Sequence, residues 1–226
     1  ITQLCEFLNS MGANIEGIGT ETLIIHGVDE LHSADIDIIP DRIEAGTFLM
    51  AGALLGEIEV RDIIPGHLDK VVHKLREAGC ILKINQNSII ITPPEKIKSV
   101  DMTTAVYPGF PTDLQAQWVA IMSLADGSSV VTDTVYHDRF SHIPELSRLG
   151  ANIKVENNTA FIRGKNTLVG APVMSTDIRA SASLIIAALA AKGETQISRV
   201  YHIDRGYENI EQKFEGLGGD IRRISE

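Results

Sequence analysis

The sequence predicts an α+β protein assembled from βαβαββ repeats with pseudo-threefold symmetry, apolar helices inside and sheets outside. Three observations carry this. Four segments share one local pattern, Met11-Gly12-Ala13-Asn14-Ile15, Ala78-Gly79-Cys80-Ile81, Leu149-Gly150-Ala151-Asn152-Ile153 and Leu217-Gly218-Gly219-Asp220-Ile221, with leading glycines 67, 71 and 68 residues apart. A second series interleaves with the first: Asp41, Asp113 and Asp177 each open a mostly apolar stretch that runs to Gly56, Gly127 and Gly193. After each of these glycines comes a short β-branched segment, Ile58 to Val60, Val130 to Thr132 and Thr195 to Ile197.

Taken in order, the chain opens with Ile1, Cys5, Phe7 and Leu8 in helical register and no capping residue or Met before them, which predicts part of a longer polypeptide. Gly12 ends that helix; a left-handed glycine is a favoured way to stop one because it has no Cβ to clash. Two whole repeats are expected over about 36–100 and 101–171, each a strand, a buried helix, a strand, an amphipathic helix and two strands. A third is cut short after Ile221 to Ile224, and residues 1–35 end an earlier unit. Three such units would set the N-termini of their apolar helices at one end of the domain.

Composition narrows the function classes. Thirty acids against twenty bases give a net charge of −10, which argues against a nucleic-acid surface, since that needs a basic stripe. Any cations that meet an anionic ligand must be locally concentrated. Cys5 and Cys80 lack the spacing of a disulfide framework or zinc site, and the seven histidines show no metal-ligand pattern. Cys80 falls in the small-residue slot that Ala13, Ala151 and Gly219 hold in the other repeats, which makes it a packing residue. No signal peptide or membrane-spanning run is evident, so a cytoplasmic location is expected.

The helix starts carry the chemical signal. Asp41, Asp113 and Asp177 all fit N-caps, which accept orphan backbone N–H groups. Arg42 and Arg179 do not, because the positive end of the helix dipole disfavours a cation. An arriving phosphate or carboxylate would explain a guanidinium there, and so would pairing with a neighbouring Asp.

Five motifs stand on these mouths and the loops beside them: Pro40-Asp41-Arg42-Ile43-Glu44, Phe110-Pro111-Thr112-Asp113-Leu114-Gln115-Ala116-Gln117, Asp138-Arg139-Phe140-Ser141-His142-Ile143-Pro144-Glu145-Leu146, Thr176-Asp177-Ile178-Arg179-Ala180-Ser181 and His202-Ile203-Asp204-Arg205-Gly206-Tyr207-Glu208. In this order they resemble the C-terminal half of the UDP-N-acetylglucosamine 1-carboxyvinyltransferases, an enolpyruvyl transferase family. The resemblance covers essentially the whole chain. It implies two domains, each an inside-out α/β barrel of threefold βαβαββ repeats, with the active site in the cleft between them. Residues 1–37 would then end the family's other domain, and 38–226 would form the repeat domain that supplies one wall of the cleft.

The implied reaction moves the enolpyruvyl group of phosphoenolpyruvate to the 3-hydroxyl of UDP-N-acetylglucosamine with release of phosphate, a step committed to peptidoglycan, and it uses no cofactor or metal. By the same resemblance, Asp113 sits at the sugar hydroxyl as the base candidate, with Thr112 beside it on the substrate. Arg179 and Arg205 surround phosphoenolpyruvate, and Asp177 orients Arg179 or relays a proton. Val135 meets the nucleotide sugar through its backbone. Arg139 matches an arginine of the family's Asn-Arg-Phe run, although a structural pairing with Asp133 or Glu145 fits it too. His137-Asp138 stand where Glu-Asn is usual. Arg42 and Glu44 are expected to form an ion pair. The family's Lys-Asn pair and Cys loop find no counterpart in the chain, so an N-terminal half is the expected partner and the chain alone is expected to be inactive. Two other readings stay open: a 5-enolpyruvylshikimate-3-phosphate synthase-like enzyme, and a non-catalytic ligand-binding or structural fragment.

Overall fold

Each of the four glycine turns closes its helix with the same pair of hydrogen bonds. The glycine amide donates three residues back, Gly12 to Asn9 (3.0 Å), Gly79 to Arg76 (3.0 Å), Gly150 to Ser147 (2.9 Å) and Gly218 to Glu215 (2.9 Å). The next amide donates five back, Ala13 to Leu8, Cys80 to Leu75, Ala151 to Leu146 and Gly219 to Phe214. The four φ angles lie between +91° and +100°, a region costly for any residue with a Cβ. The computed structural model in which these turns are seen describes residues 1–224.

The chain separates into two compact units, Ile1–Pro40 and the stretch from Asp41 onward. In the first, α1 (Thr2–Ser10) is followed by an antiparallel pair, β1 (Asn14–Glu16) and β2 (Ile24–His26). The Asn9 amide grips Ile15 at both backbone groups, accepting from its N–H at 2.9 Å and donating to its C=O at 2.8 Å. Cys5 and Ile15 are its buried apolar residues.

The second unit opens with α2 (Arg42–Leu55), β3 (Ile58–Arg61), α3 (Asp69–Glu77), β4 (Ile81–Ile84) and β5 (Ser88–Thr92), whose strands pair antiparallel in the order β3-β5-β4. Next come β6 (Met102–Thr103), α4 (Gln115–Met122), β7 (Ser128–Thr132), α5 (Ile143–Arg148), β8 (Asn152–Glu156) and β9 (Thr159–Arg163), a full βαβαββ run. Their sheet order is β6-β7-β9-β8, with β6 parallel to β7. Last are β10 (Val173–Met174), α6 (Ile178–Ala190), β11 (Ile197–Ser198) and α7 (Ile210–Gly216), with β10 parallel to β11.

Helices α2, α4 and α6 pack against one another at the centre. Every residue of α4 is buried, so its polar face has vanished and only a core position suits it. Gly46 of α2 lies directly on the Leu114 side chain, and a Cβ there would collide with it. The sheets cover this core with alternating residues: in β9, Ala160 and Ile162 are buried while Phe161 is exposed. Each fully buried side chain such as Leu49, Ile121 or Ile186 contributes roughly 1.5–3 kcal/mol by leaving water. Among the described residues, no helix is long and apolar enough to cross a membrane.

Four expectations need correction. Residues 36–40, expected as the opening strand of the first repeat, form no strand, so β3 has no parallel partner of the kind β7 and β11 possess. Residues 220–224 likewise form no strand; Arg223 reaches Asp204 and Glu211 through its side chain, but a strand needs a neighbour to satisfy its backbone. Helix α4 stops at Met122 and α6 at Ala190, short of Gly127 and Gly193. The reason is common to both: just beyond each helix the chain is captured by the preceding connection, at the parallel bridges Lys98–Asp126 and Val169–Lys192. Finally, Asp113 caps no helix. It lies inside a 3-10 turn, Thr112–Leu114, and α4 begins only at Gln115.

Candidate functional site

Two of the three aspartates behave as caps. Asp41 accepts the Ile43 amide at 2.7 Å, and Asp177 Oδ1 accepts those of Arg179 and Ala180 at 2.7 and 3.0 Å. Asp113, displaced from the helix by its 3-10 turn, turns its carboxylate to two arginines instead. Oδ1 accepts Arg139 Nη1 at 2.7 Å and Arg179 Nε at 3.1 Å. Arg139 comes from the loop between β7 and α5, and Arg179 from the first turn of α6. Burial alone would push the Asp113 carboxyl up, but the Arg139 hydrogen bond and the charges of Arg179 and Arg139 outweigh it and hold it below the ordinary range.

This arrangement explains the cation at the positive end of α6. Arg179 pays no unpaired-charge penalty there because Asp113 faces it. Each guanidinium spends one N–H on the carboxylate out of five, so several donors remain without a protein acceptor among the described residues. Arg139 pairs with neither Asp133 nor Glu145; Glu145 takes the Met174 amide and lies 3.8 Å from Arg148. The Arg139 guanidinium also lies over the Tyr136 ring, 5.0 Å from its centroid.

Asp133 organises the loops on either side. It is fully buried, and its Oδ1 accepts the Thr104 hydroxyl (2.7 Å) and the amides of Val135 (3.0 Å) and Tyr136 (2.8 Å). Oδ2 accepts the Thr112 hydroxyl at 2.6 Å. Thr112 therefore has its hydroxyl proton committed to Asp133, and Val135 its N–H, which leaves the Val135 carbonyl as the group its backbone can offer. Strain is avoided because four donors satisfy one buried carboxylate. Through Thr112, Asp133 sets the turn that presents Asp113.

At the mouth of α6 the Thr176 hydroxyl donates to Ser141 Oγ (3.1 Å), which donates to Asp177 Oδ2 (3.0 Å). For Asp177, burial again pushes the carboxyl up, and bonds from the Ala180 and Arg179 amides and Ser141 bring it net below the usual range. His142, next along, is buried, and desolvation drives its imidazole down to about 4, with Asp177 opposing and Arg139 assisting. It is a neutral core histidine whose Nε2 has no hydrogen-bond partner among the described residues.

Arg205 ends a 3-10 stretch, Val200–Arg205, and is exposed, with no ion-pair partner among the described residues. It lines an open groove with Asp41, Glu44, Gly206 and Lys213. Gly206 presses on the start of α6: a Cβ there would lie 2.5 Å from Ile178 Cδ1. The structure thus gathers Asp113, Arg139 and Arg179 in direct contact and Asp177 on the same helix mouth. Arg205 is tied to that mouth through its neighbour. The expected Arg42–Glu44 pair is absent: Glu44 takes Lys213 (2.6 Å), and Arg42 lies 5.2 Å over the Tyr107 ring. Cys80 is buried, its thiol pushed up to about 11 by desolvation, which leaves it unreactive. No cluster of three metal-ligating side chains occurs among the described residues.

Sequence reasoning missed the work of Asp133, Ser141, Thr47 and Gln117. Asp133-Thr-Val-Tyr136 carries a readable turn signal, an Asp at a strand end poised to accept amides two and three residues on. The other three act across 36 to 160 residues of chain, which no local pattern reveals.

A family model for EPSP synthase (3-phosphoshikimate 1-carboxyvinyltransferase) matches residues 1–214. The chain is 52% identical over 221 residues to a UDP-N-acetylglucosamine 1-carboxyvinyltransferase of Chlorobaculum parvum, covering 97% of this chain and 52% of that protein. The enolpyruvyl transferase NikO from Streptomyces tendae superposes with a TM-score of 0.85 at 31% identity, over 98% of this chain and 53% of that one. An EPSP synthase from Acinetobacter baumannii shares the fold, with a TM-score of 0.71 at 16% identity, covering 97% and 54%. The chain spans about half the length of the curated relatives it matches.

Proposed function

The chain belongs to the EPSP synthase family of enolpyruvyl transferases, and from that premise we propose that it forms one wall of an active site that transfers the enolpyruvyl group of phosphoenolpyruvate to the 3-hydroxyl of UDP-N-acetylglucosamine. The observation that carries the reading is the single carboxylate of Asp113 held by two guanidinium groups with donors to spare. Half-length coverage of relatives carrying that activity in their names supports it. On this reading residues 1–37 close one domain, 38–226 form the other as an inside-out barrel about a pseudo-threefold axis, and a second half completes the cleft.

The chemistry follows from charge. The sugar oxygen bonds to C2 of the enol ester while C3 gains a proton; phosphate then leaves C2 as C3 gives a proton back. Arg179, Arg139 and Arg205 hold the phosphate and carboxylate, for which a planar guanidinium offers matched pairs of donors. In the free protein the arginines depress Asp113 and make it a poor base. An incoming trianion takes the remaining donors of these guanidinium groups and brings negative charge beside Asp113, so its arrival raises the basicity of Asp113 next to the hydroxyl that must lose a proton. Asp177 fixes the first turn of α6, and the Thr176–Ser141–Asp177 chain gives a proton a route to that mouth. Val135 offers its carbonyl to the nucleotide sugar, and Thr112 holds the turn beneath Asp113.

The test is phosphate release from phosphoenolpyruvate and UDP-N-acetylglucosamine by this chain alone and with the N-terminal half of the Chlorobaculum parvum relative added. Release only with both halves is the expected result. Release with shikimate 3-phosphate in place of the sugar nucleotide would reassign the substrate, and binding without turnover in either mixture would leave a non-catalytic module.

A further inference from the structure

Two residues beyond Arg205, Tyr207 is buried to 2% exposure, yet its hydroxyl lies 2.8 Å from Thr47 Oγ1, in the second turn of α2. Thr47 has one proton, and it goes to its own helix, to the Ile43 carbonyl at 2.9 Å. Tyr207 must therefore be the donor. The Thr47 oxygen accepts a second bond, from Gln117 Nε2 of α4 at 3.0 Å. One saturated oxygen thus joins α2, α4 and the segment that bears Arg205, with all three partners out of water. The phenol stays protonated, as its burial requires, which keeps the donor in place.

We propose that Tyr207 is the positioning residue for Arg205. Among the described residues no side chain pairs with Arg205, and its main chain is what aims it. That main chain is pinned on two sides. Gly206 packs on Ile178 at the mouth of α6, and the amides of Gly206 and Tyr207 both return to the Ile203 carbonyl, at 3.1 and 3.0 Å. The Tyr207 ring fills the core beneath, and its hydroxyl references the segment to α2 directly and, through Thr47, to α4. The substitution that deletes only this link is Tyr207→Phe.

This inference rests on the reading of Arg205 as an anion ligand, and the experiment separates the two. With both halves present, Tyr207→Phe raises KM for phosphoenolpyruvate roughly fivefold to tenfold, the scale of one buried hydrogen bond, and leaves KM for UDP-N-acetylglucosamine within about twofold. Thr47→Val does the same, and Thr47→Ser, which keeps the hydroxyl, restores the wild-type value. In this chain alone, the Gly206 and Tyr207 amides exchange with solvent several times faster in Tyr207→Phe, while the amides of β9 do not change. Unchanged KM for phosphoenolpyruvate, or an equal rise for both substrates, overturns the proposal. If the unsubstituted assembly releases no phosphate, the functional reading fails, and hydrogen exchange decides the anchor by itself: unaltered rates at Gly206 and Tyr207 overturn it, and faster rates uphold it.

Discussion

At the scale of single residues, the chemistry turns on which partner each charged group finds. Asp113 and Asp177 are alike in sequence, each at the head of an apolar helix, but one meets arginines and the other meets amides. Asp113→Asn is expected to reduce turnover of the two-half assembly at least about a hundredfold while the fold survives, since an amide cannot take the proton. Near-normal turnover would reduce Asp113 to holding the arginines. His142 gives a test by pH. An unfolded histidine takes its proton near 6.5, and the buried one only at about 4, so the folded state binds fewer protons between these values. The stability this contributes is complete above pH 6.5 and is lost as pH falls from there through 4. The melting temperature should drop across that window, and His142→Gln should flatten the drop; an identical pH profile in the variant would refute the assignment.

At the scale of elements, the glycine turns are the most legible feature, because a left-handed helix stop depends on one residue and its immediate neighbours. Gly150 isolates that contribution. A Cβ there would sit 3.8 Å from Val169 Cγ2, an ordinary contact, so Gly150→Ala should cost only the backbone term, about 1–2 kcal/mol by urea unfolding. Gly164→Ala should cost clearly more, because its Cβ would strike the Ala125 carbonyl, which belongs to the backbone and cannot step aside. Equal losses at the two positions would contradict this account. Helix ends were less legible where another segment competes: the apolar stretches run to Gly127 and Gly193, but bridges to residues 98 and 169 draw the chain out of the helix first. Strand formation was the least legible, since residues 36–40 have the apolar character of a strand without the pairing.

At the scale of the whole molecule, a chain of net charge −10 concentrates Arg139 and Arg179 on one carboxylate, with Arg205 beside the start of the helix that bears Arg179. Binding of a small anion should therefore weaken as salt rises, most steeply below about 0.15 M where charges still act over roughly 8 Å; salt-independent affinity measured by calorimetry would place the anion elsewhere. The amino-acid sequence by itself determined the four glycine turns, the buried central helices and one full βαβαββ run, and it proposed the candidate site residues through motifs that resemble a family. These depend on periodicity, on the steric freedom of glycine and on motifs read within a few positions. Only the tertiary structure decided that Asp113 is an ion-pair centre and not a cap, that Arg42 stacks on Tyr107 instead of pairing with Glu44, and that Thr47 joins Gln117 and Tyr207. Hydrogen bonds and ion pairs go to whichever partner is nearest in space, and a chain that folds residue 47 onto residue 207 sets that distance by packing, not by sequence separation.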